Sequence, residues 1–174
     1  MTKDFKGRKI LIRKLSAKDI EKAKDFRNYI NALIEEEAKI LMKKKKTEKQ
    51  EKEWLKDRVK DKLAISLVAF DNDLLVGIAS CSLERERQDH VADFGISVRK
   101  EYRGIGLGKF LMKEVIERGE RGLKPKFVKL GVFDNNIIAI KLYEKMGFKR
   151  VAKIPKYLQY KGRLVDEIIM MKKV

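Results

Sequence analysis

Residues 103–109 read Arg103-Gly104-Ile105-Gly106-Leu107-Gly108-Lys109, and what flanks them decides the fold. Before them, Val91 to Val98 carries Phe94, Ile96 and Val98 on one side and Asp93 on the other, the period-2 pattern of a strand. After them, Lys109 to Arg121 places Phe110, Leu111, Val115 and Ile116 at helical spacing. A glycine-rich turn running from a strand into a helix exposes unpaired main-chain N–H groups beside the positive end of the helix dipole. Together these suit a pyrophosphate. Glycine lets the main chain approach phosphate oxygens with no Cβ in the way, and Arg103 and Lys109 add charge.

Two nucleotide readings fail on spacing. Gly104, Gly106 and Gly108 do not fit the G-x-G-x-x-G turn of dinucleotide folds. Gly108-Lys109 is followed by Phe110, where the phosphate loop of nucleotide hydrolases needs Ser or Thr.

Working upstream, Leu74 to Leu83 and Ala64 to Phe70 read as two strands joined through Asp71-Asn72-Asp73, a hairpin. Met42 to Lys62 is mostly lysine and glutamate, with Trp54, Leu55 and Val59 as the anchors of a largely solvated helix. Ser16-Ala17-Lys18-Asp19 reads as a capping box opening a helix, which Ala23, Phe26, Tyr29, Ile30, Leu33 and Ile34 give one buried face. Arg8 to Leu15 alternates as a first strand. Downstream come a strand from Phe127 to Phe133, a helix from Asn136 to Met146 stopped by Gly147, and strands Lys149 to Ile154 and Leu164 to Met171 around the turn at 160–163. The order is βααβββαβαββ, an α/β chain with no internal repeat.

The 174 residues, 44% hydrophobic, suit one core, so residues 1–174 are expected to form a single domain. No apolar run reaches the roughly 18 residues of a membrane span, and the N-terminus lacks a secretory leader, so a soluble, cytoplasmic protein is expected. One cysteine, Cys81, and one histidine, His90, leave too few ligands for a zinc site, so no metal is expected. Lys plus Arg outnumber Asp plus Glu by 43 to 26, and a net charge of +17 favours an anionic partner. No strand face interleaves aromatics with basic residues as an RNA module would.

The pattern Arg103-x-x-Gly106-x-Gly108 resembles the acetyl-CoA signature of the GNAT (GCN5-related N-acetyltransferase) family. A second segment, Asn136-Ile137-Ile138-Ala139-Ile140-Lys141-Leu142-Tyr143-Glu144-Lys145-Met146-Gly147-Phe148, resembles the family's N-x-x-A-x-x-L-Y-x-x-x-G-F helix at every defined position. His90 to Val98 and Gly162 to Glu167 resemble the branch holding amino-acid and ribosomal-protein acetyltransferases. The resemblance implies a mixed, splayed sheet of about seven strands with about four helices. It also implies an enzyme that moves an acetyl group from acetyl-CoA to a primary amine and releases coenzyme A. The implied partners are acetyl-CoA and an amine acceptor, a small molecule or a protein N-terminus. No stable nucleic-acid complex and no membrane are expected, and a homodimer is allowed. The alternatives are a non-catalytic acetyl-CoA sensor and a basic module that docks on ribosomes or RNA.

By the same resemblance, main-chain groups of Ile96, Ser97 and Val98 should pair with the pantetheine arm. Arg103, Gly104, Ile105, Gly106, Leu107, Gly108 and Lys109 should hold the pyrophosphate, and Asn136 should bond to the cofactor arm. Tyr143 should stand by the thioester sulfur, where a phenol can protonate the leaving thiolate. Relatives acting on protein N-termini often carry Leu-Glu-Val in the strand after the pyrophosphate helix, and this chain has Leu130-Gly131-Val132. For the base, Asp93 ranks first as a carboxylate in a central strand, followed by Glu84 and then His90. Tyr157, Tyr160 and Asp166 of the last hairpin are candidates to face the acceptor. Cys81 as an acyl-carrying nucleophile is the rival mechanism. An α-amine of pKa ~7.7–8.0 is roughly a tenth neutral at pH 7, and a lysine amine of pKa ~10.4 about once in 2,500, which favours an α-amine acceptor.

Overall fold

The computed structural model describes residues 1–174. The strands are β1 Thr2–Phe5, β2 Arg8–Lys14, β3 Ala64–Asp71, β4 Leu74–Leu83, β5 Val91–Val98, β6 Phe127–Phe133, β7 Lys149–Tyr160 and β8 Arg163–Lys173. The helices are α1 Ala23–Glu35, α2 Glu48–Lys60, α3 Leu107–Leu123 and α4 Ile137–Lys145. All eight strands form one sheet in the order β1-β2-β3-β4-β5-β6-β8-β7. The α/β class and the expected strand and helix order hold, with β1 added: Met1 donates its ammonium to the Ile12 carbonyl, and Phe5 packs edge-on against Phe110. No helix is long and apolar enough to cross a membrane.

Every neighbouring pair is antiparallel except β5 and β6. These two pair only at Val91↔Phe127, Ala92↔Val128 and Asp93↔Lys129. Beyond Asp93 they part, while β5 stays paired to β4 as far as Val98 and β6 to β8 as far as Phe133. The sheet is therefore whole at one end and split at the other.

The two faces are covered by different helices. Alternation puts Ala92, Phe94, Val128, Leu130, Ile168 and Met170 against α3 and α4, whose Leu107, Leu111, Met112, Val115, Ile116, Ile140 and Tyr143 are buried with them. Gly77 allows that closeness, since a Cβ there would lie 2.9 Å from the Leu111 Cδ1. The opposite face takes α1 through Phe26, Tyr29 and Leu33, and α2 through Leu55. The capping box at Ser16 is present but opens a 3₁₀ stretch, Ala17–Lys22, and α1 continues from it. Asp19 closes that box, fully buried, by accepting from the Ser16 N–H and from Arg13.

Candidate active site

Gly106 caps α3 with φ +94, a left-handed conformation that costs other residues roughly 1–2 kcal/mol. No N–H from Gly104 to Lys109 finds a main-chain acceptor; the first bond back into the turn is Phe110 N–H to Gly106 O. A Cβ on Gly104 or Gly106 would meet nothing within 4 Å, so the turn faces open space. The loop thus presents a row of unpaired donors at a helix N-terminus. Arg103 is less free than its position in the motif implies: its Nε donates to the Val98 carbonyl and its guanidinium pairs with Glu36 at the end of α1. Lys109 is exposed beside the loop.

The gap starts where the loop can reach it. Ile96, Ser97 and Val98 are paired to β4 on one side and to no strand on the other. The Ser97 hydroxyl is 2.8 Å from the Tyr29 phenol oxygen of α1, which ties this stretch to the helix above it.

On the α3/α4 face, Phe94 is the first residue past the last β5–β6 pair, and Tyr143 sets its ring edge-on to it at 6.3 Å. Tyr143 is buried, and burial pushes its phenol up to about 12, so the hydroxyl keeps its proton at neutral pH. Helix α4 ends there in a Schellman motif: Gly147 at φ +90 donates to Glu144 O, and Phe148 N–H donates to Tyr143 O. Asn136 caps the other end of α4 by accepting from Ala139 N–H at 3.4 Å. Its side-chain NH₂ makes no bond within the protein.

On the opposite face, Lys129 bridges two carboxylates, Glu84 at 2.8 Å and Asp93 at 3.8 Å. Burial raises Asp93 and its neighbour Glu84 raises it further, while Lys129 and Arg58 oppose them. Glu167 of β8, passed over in the sequence reading, lies on the same face. It is buried, and burial together with Asp93 raises it, with Lys129 opposing. Its carboxylate fills the space over Gly131 so closely that a Cβ on that glycine would collide with it. Two signals bore on it in the sequence: the small residue in Leu130-Gly131-Val132, and Glu167 itself in the last strand.

The remaining candidates fall elsewhere. His90 is exposed at the closed end of the sheet, against Phe127. Cys81 is fully buried, with its thiol pushed up to about 11 by burial and then by Asp93 and Glu120, so it is no nucleophile. Asp166 closes the last hairpin, bound to Lys153 at 2.7 Å and to the Lys156 N–H at 2.8 Å. Tyr157 is exposed. Tyr160 packs on Phe133 and donates to the Glu37 carbonyl at 3.0 Å. The α1–α2 connection that holds Glu37 also reaches Asn135 O through Lys39 and Gln159 through Lys43. It thereby crosses from the glycine loop to the hairpin along one side of the gap.

The Acetyltransferase (GNAT) family model matches residues 30–148. L-amino acid N-acetyltransferase AaaT of Escherichia coli (strain K12) is 36% identical over 116 residues, 66% of this chain and 72% of its own. Among solved structures, Ribosomal-protein-alanine N-acetyltransferase from Brucella melitensis has a TM-score of 0.81 at 26% identity, covering 94% of this chain and 99% of that one. The structure of yncA from Salmonella typhimurium with its cofactor acetyl-CoA has a TM-score of 0.80 at 21% identity, covering 94% and 93%. The family match spans well over half of the chain, and this protein is a member of the GNAT family of N-acetyltransferases, an acyltransferase.

Proposed function

We propose that this enzyme moves an acetyl group from acetyl-CoA to the α-amine of an amino acid or of a peptide N-terminus, by direct attack within a ternary complex. The observation that carries this reading is the gap itself. It has unpaired donors from Gly104 to Lys109 at its mouth, an unpaired strand edge at Ile96–Val98 along it, and the Tyr143 ring at its apex. These residues fit coenzyme A: the loop would hold the pyrophosphate, Ile96, Ser97 and Val98 the pantetheine amides, and the free Asn136 amide the arm beside them. Acetyl-CoA, when bound, supplies the activated acyl group.

The chain's own residues then have three tasks. Unpaired N–H groups along β5 polarise the acyl carbonyl. Tyr143, protonated at neutral pH, gives its proton to the departing sulfur. The Glu84, Asp93 and Glu167 carboxylates outnumber the two cations that face them, Lys129 and Arg58, and leave this side of the gap locally anionic in a strongly basic protein, which draws a cationic amine. An α-amine needs roughly 3–4 kcal/mol less than a lysine amine to become neutral, at 1.36 kcal/mol per pKa unit. Kinship with an L-amino acid acetyltransferase supports the same choice.

The test is incubation with acetyl-CoA and a mixture of amino acids, free-N-terminus peptides, N-blocked lysine peptides and polyamines, read by mass. Acetylated α-amines, formed ~10²–10⁴ times more slowly by Tyr143→Phe, are the expected result. Saturable acetyl-CoA binding with no product would replace the reading with a sensor, and product on lysine or polyamines alone would overturn the choice of acceptor.

A further inference from the structure

We propose that Glu167 takes the proton from the attacking amine, supplying from β8 the carboxylate that β6 lacks at Gly131. The inference rests on the acetyltransferase reading above and names a base for it. Four observations carry it. The Glu167 side chain lies over Gly131, where a Cβ would collide with it, so the two positions share one volume. Gly131 is two residues beyond Lys129, the last β6 residue paired to β5, and therefore borders the gap where it has opened. Asp93 and Glu84 both lean on Lys129, whereas Glu167 has no hydrogen bond or ion pair to another side chain although it is buried. Tyr143 and Ile168 belong to the same buried cluster on the α3/α4 face, and alternation along β8 turns Glu167 to the other face. An acyl group in the gap then has the phenol on one side and this carboxylate on the other.

An acceptor ammonium gives one proton to Glu167, which releases it to solvent. The neutral nitrogen forms the C–N bond at the acyl carbon, and the C–S bond breaks as Tyr143 protonates the sulfur. The second proton lost from nitrogen on amide formation returns to the Tyr143 oxygen.

The groups facing Glu167 are Asp93 on β5, Lys129 on β6 and, through Lys129, Glu84 at the end of β4. On β7 the residue opposite is Ile154, which carries no charge. A buried carboxylate among these titrates above the ordinary range, so the rate should rise with pH through that limb.

The experiment compares wild type, Glu167→Gln, and Glu167→Ala with and without Gly131→Glu, using an amino-acid acceptor and a separate acetyl-CoA binding measurement. Glu167→Gln is expected to keep acetyl-CoA affinity, lose ~10²–10⁴-fold in kcat at neutral pH and lose the acidic limb. Gly131→Glu is expected to restore at least about tenfold to Glu167→Ala, roughly 1.4 kcal/mol of barrier, by returning a carboxylate from the other strand. Overturning results are a Glu167→Gln kcat within about threefold of wild type, an unchanged acidic limb, or no recovery in a double variant that still binds acetyl-CoA. A wild type that binds acetyl-CoA and acetylates no amine sinks this proposal together with the acetyltransfer reading. Loss in the Glu167 arms alone or its absence concerns only this residue.

Discussion

The two faces of the sheet are held in different ways. The α3/α4 face closes over a cluster of 24 buried residues, and the glycine loop and Tyr143 are mounted on it. The α1/α2 face has a cluster of 10, and beyond it the chain is tied down by polar side chains: Glu36 to Arg103, the Glu37 carbonyl to Tyr160, Lys39 to Asn135, Lys43 to Gln159. Exposed pairs of this kind contribute about 0–1 kcal/mol each, whereas one buried leucine contributes about 1.5–3 kcal/mol. On the proposed reading, the face that handles the constant reactant is packed, and the face that selects the amine is pinned by contacts that exchange at little cost.

The sharpest way to break that contrast is to cut the same side chain on both faces. Leu111→Ala should cost about 2–5 kcal/mol in urea unfolding and lower acetyl-CoA affinity, because α3 carries the loop. Leu55→Ala should fall at the low end of that range, with faster hydrogen exchange confined to residues 48–60 and unchanged acetyl-CoA affinity. Equal loss of acetyl-CoA binding in both would erase the distinction.

A smaller effect is expected at the base of α1. Burial pushes the Asp19 carboxyl up, but Arg13 and the Ser16 N–H together outweigh it and leave the group below its ordinary value. A carboxyl lower in the folded state binds fewer protons there than when unfolded. Its stabilisation is complete above the unfolded value and is lost as pH falls through the folded one. Asp19→Asn should therefore cost about 1–3 kcal/mol at pH 7 and flatten the acid end of the stability curve. A parallel curve would show that Asp19 is not what acid releases. Smallest in stability is Tyr160→Phe, at no more than about 1 kcal/mol, with its main effect on KM for the amine rather than on kcat. A change in kcat alone would separate the hairpin from acceptor binding.

What the sequence displayed was local chemistry. Arg103 to Lys109 and Asn136 to Phe148 are each one turn and one helix, and both have the conformations their residues imply. What it hid depends on contacts far along the chain. β1 is four residues with three exposed, too short and polar to alternate visibly, and it exists because β2 pairs with it. β7 runs on to Tyr160 past the point where Pro155 obscures the pattern; the pairing skips between Ile154 and Leu158, and Lys156 takes φ +55. Arg103 meets Glu36 across 67 positions. Glu167 lies over Gly131 only because β6 and β8 are neighbours, and no local pattern encodes that.

The gap between β5 and β6 is an edge strand in the middle of a sheet. Edges are ordinarily a hazard, since any extended chain can pair with them and begin an aggregate. Here the unpaired edge at Ile96–Val98 lies inside the sheet rather than at its border, with β4 on its other side and helices packed on both faces. On the proposed reading a thin arm bearing amides pairs with it instead. Such an arm would complete the rows of the sheet, so the protein should melt later when it is occupied, by about 2.7 kcal/mol at a ligand concentration 100 times Kd. On the proposed reading, an edge inside the sheet takes a reactant where an edge at the border would take a neighbour.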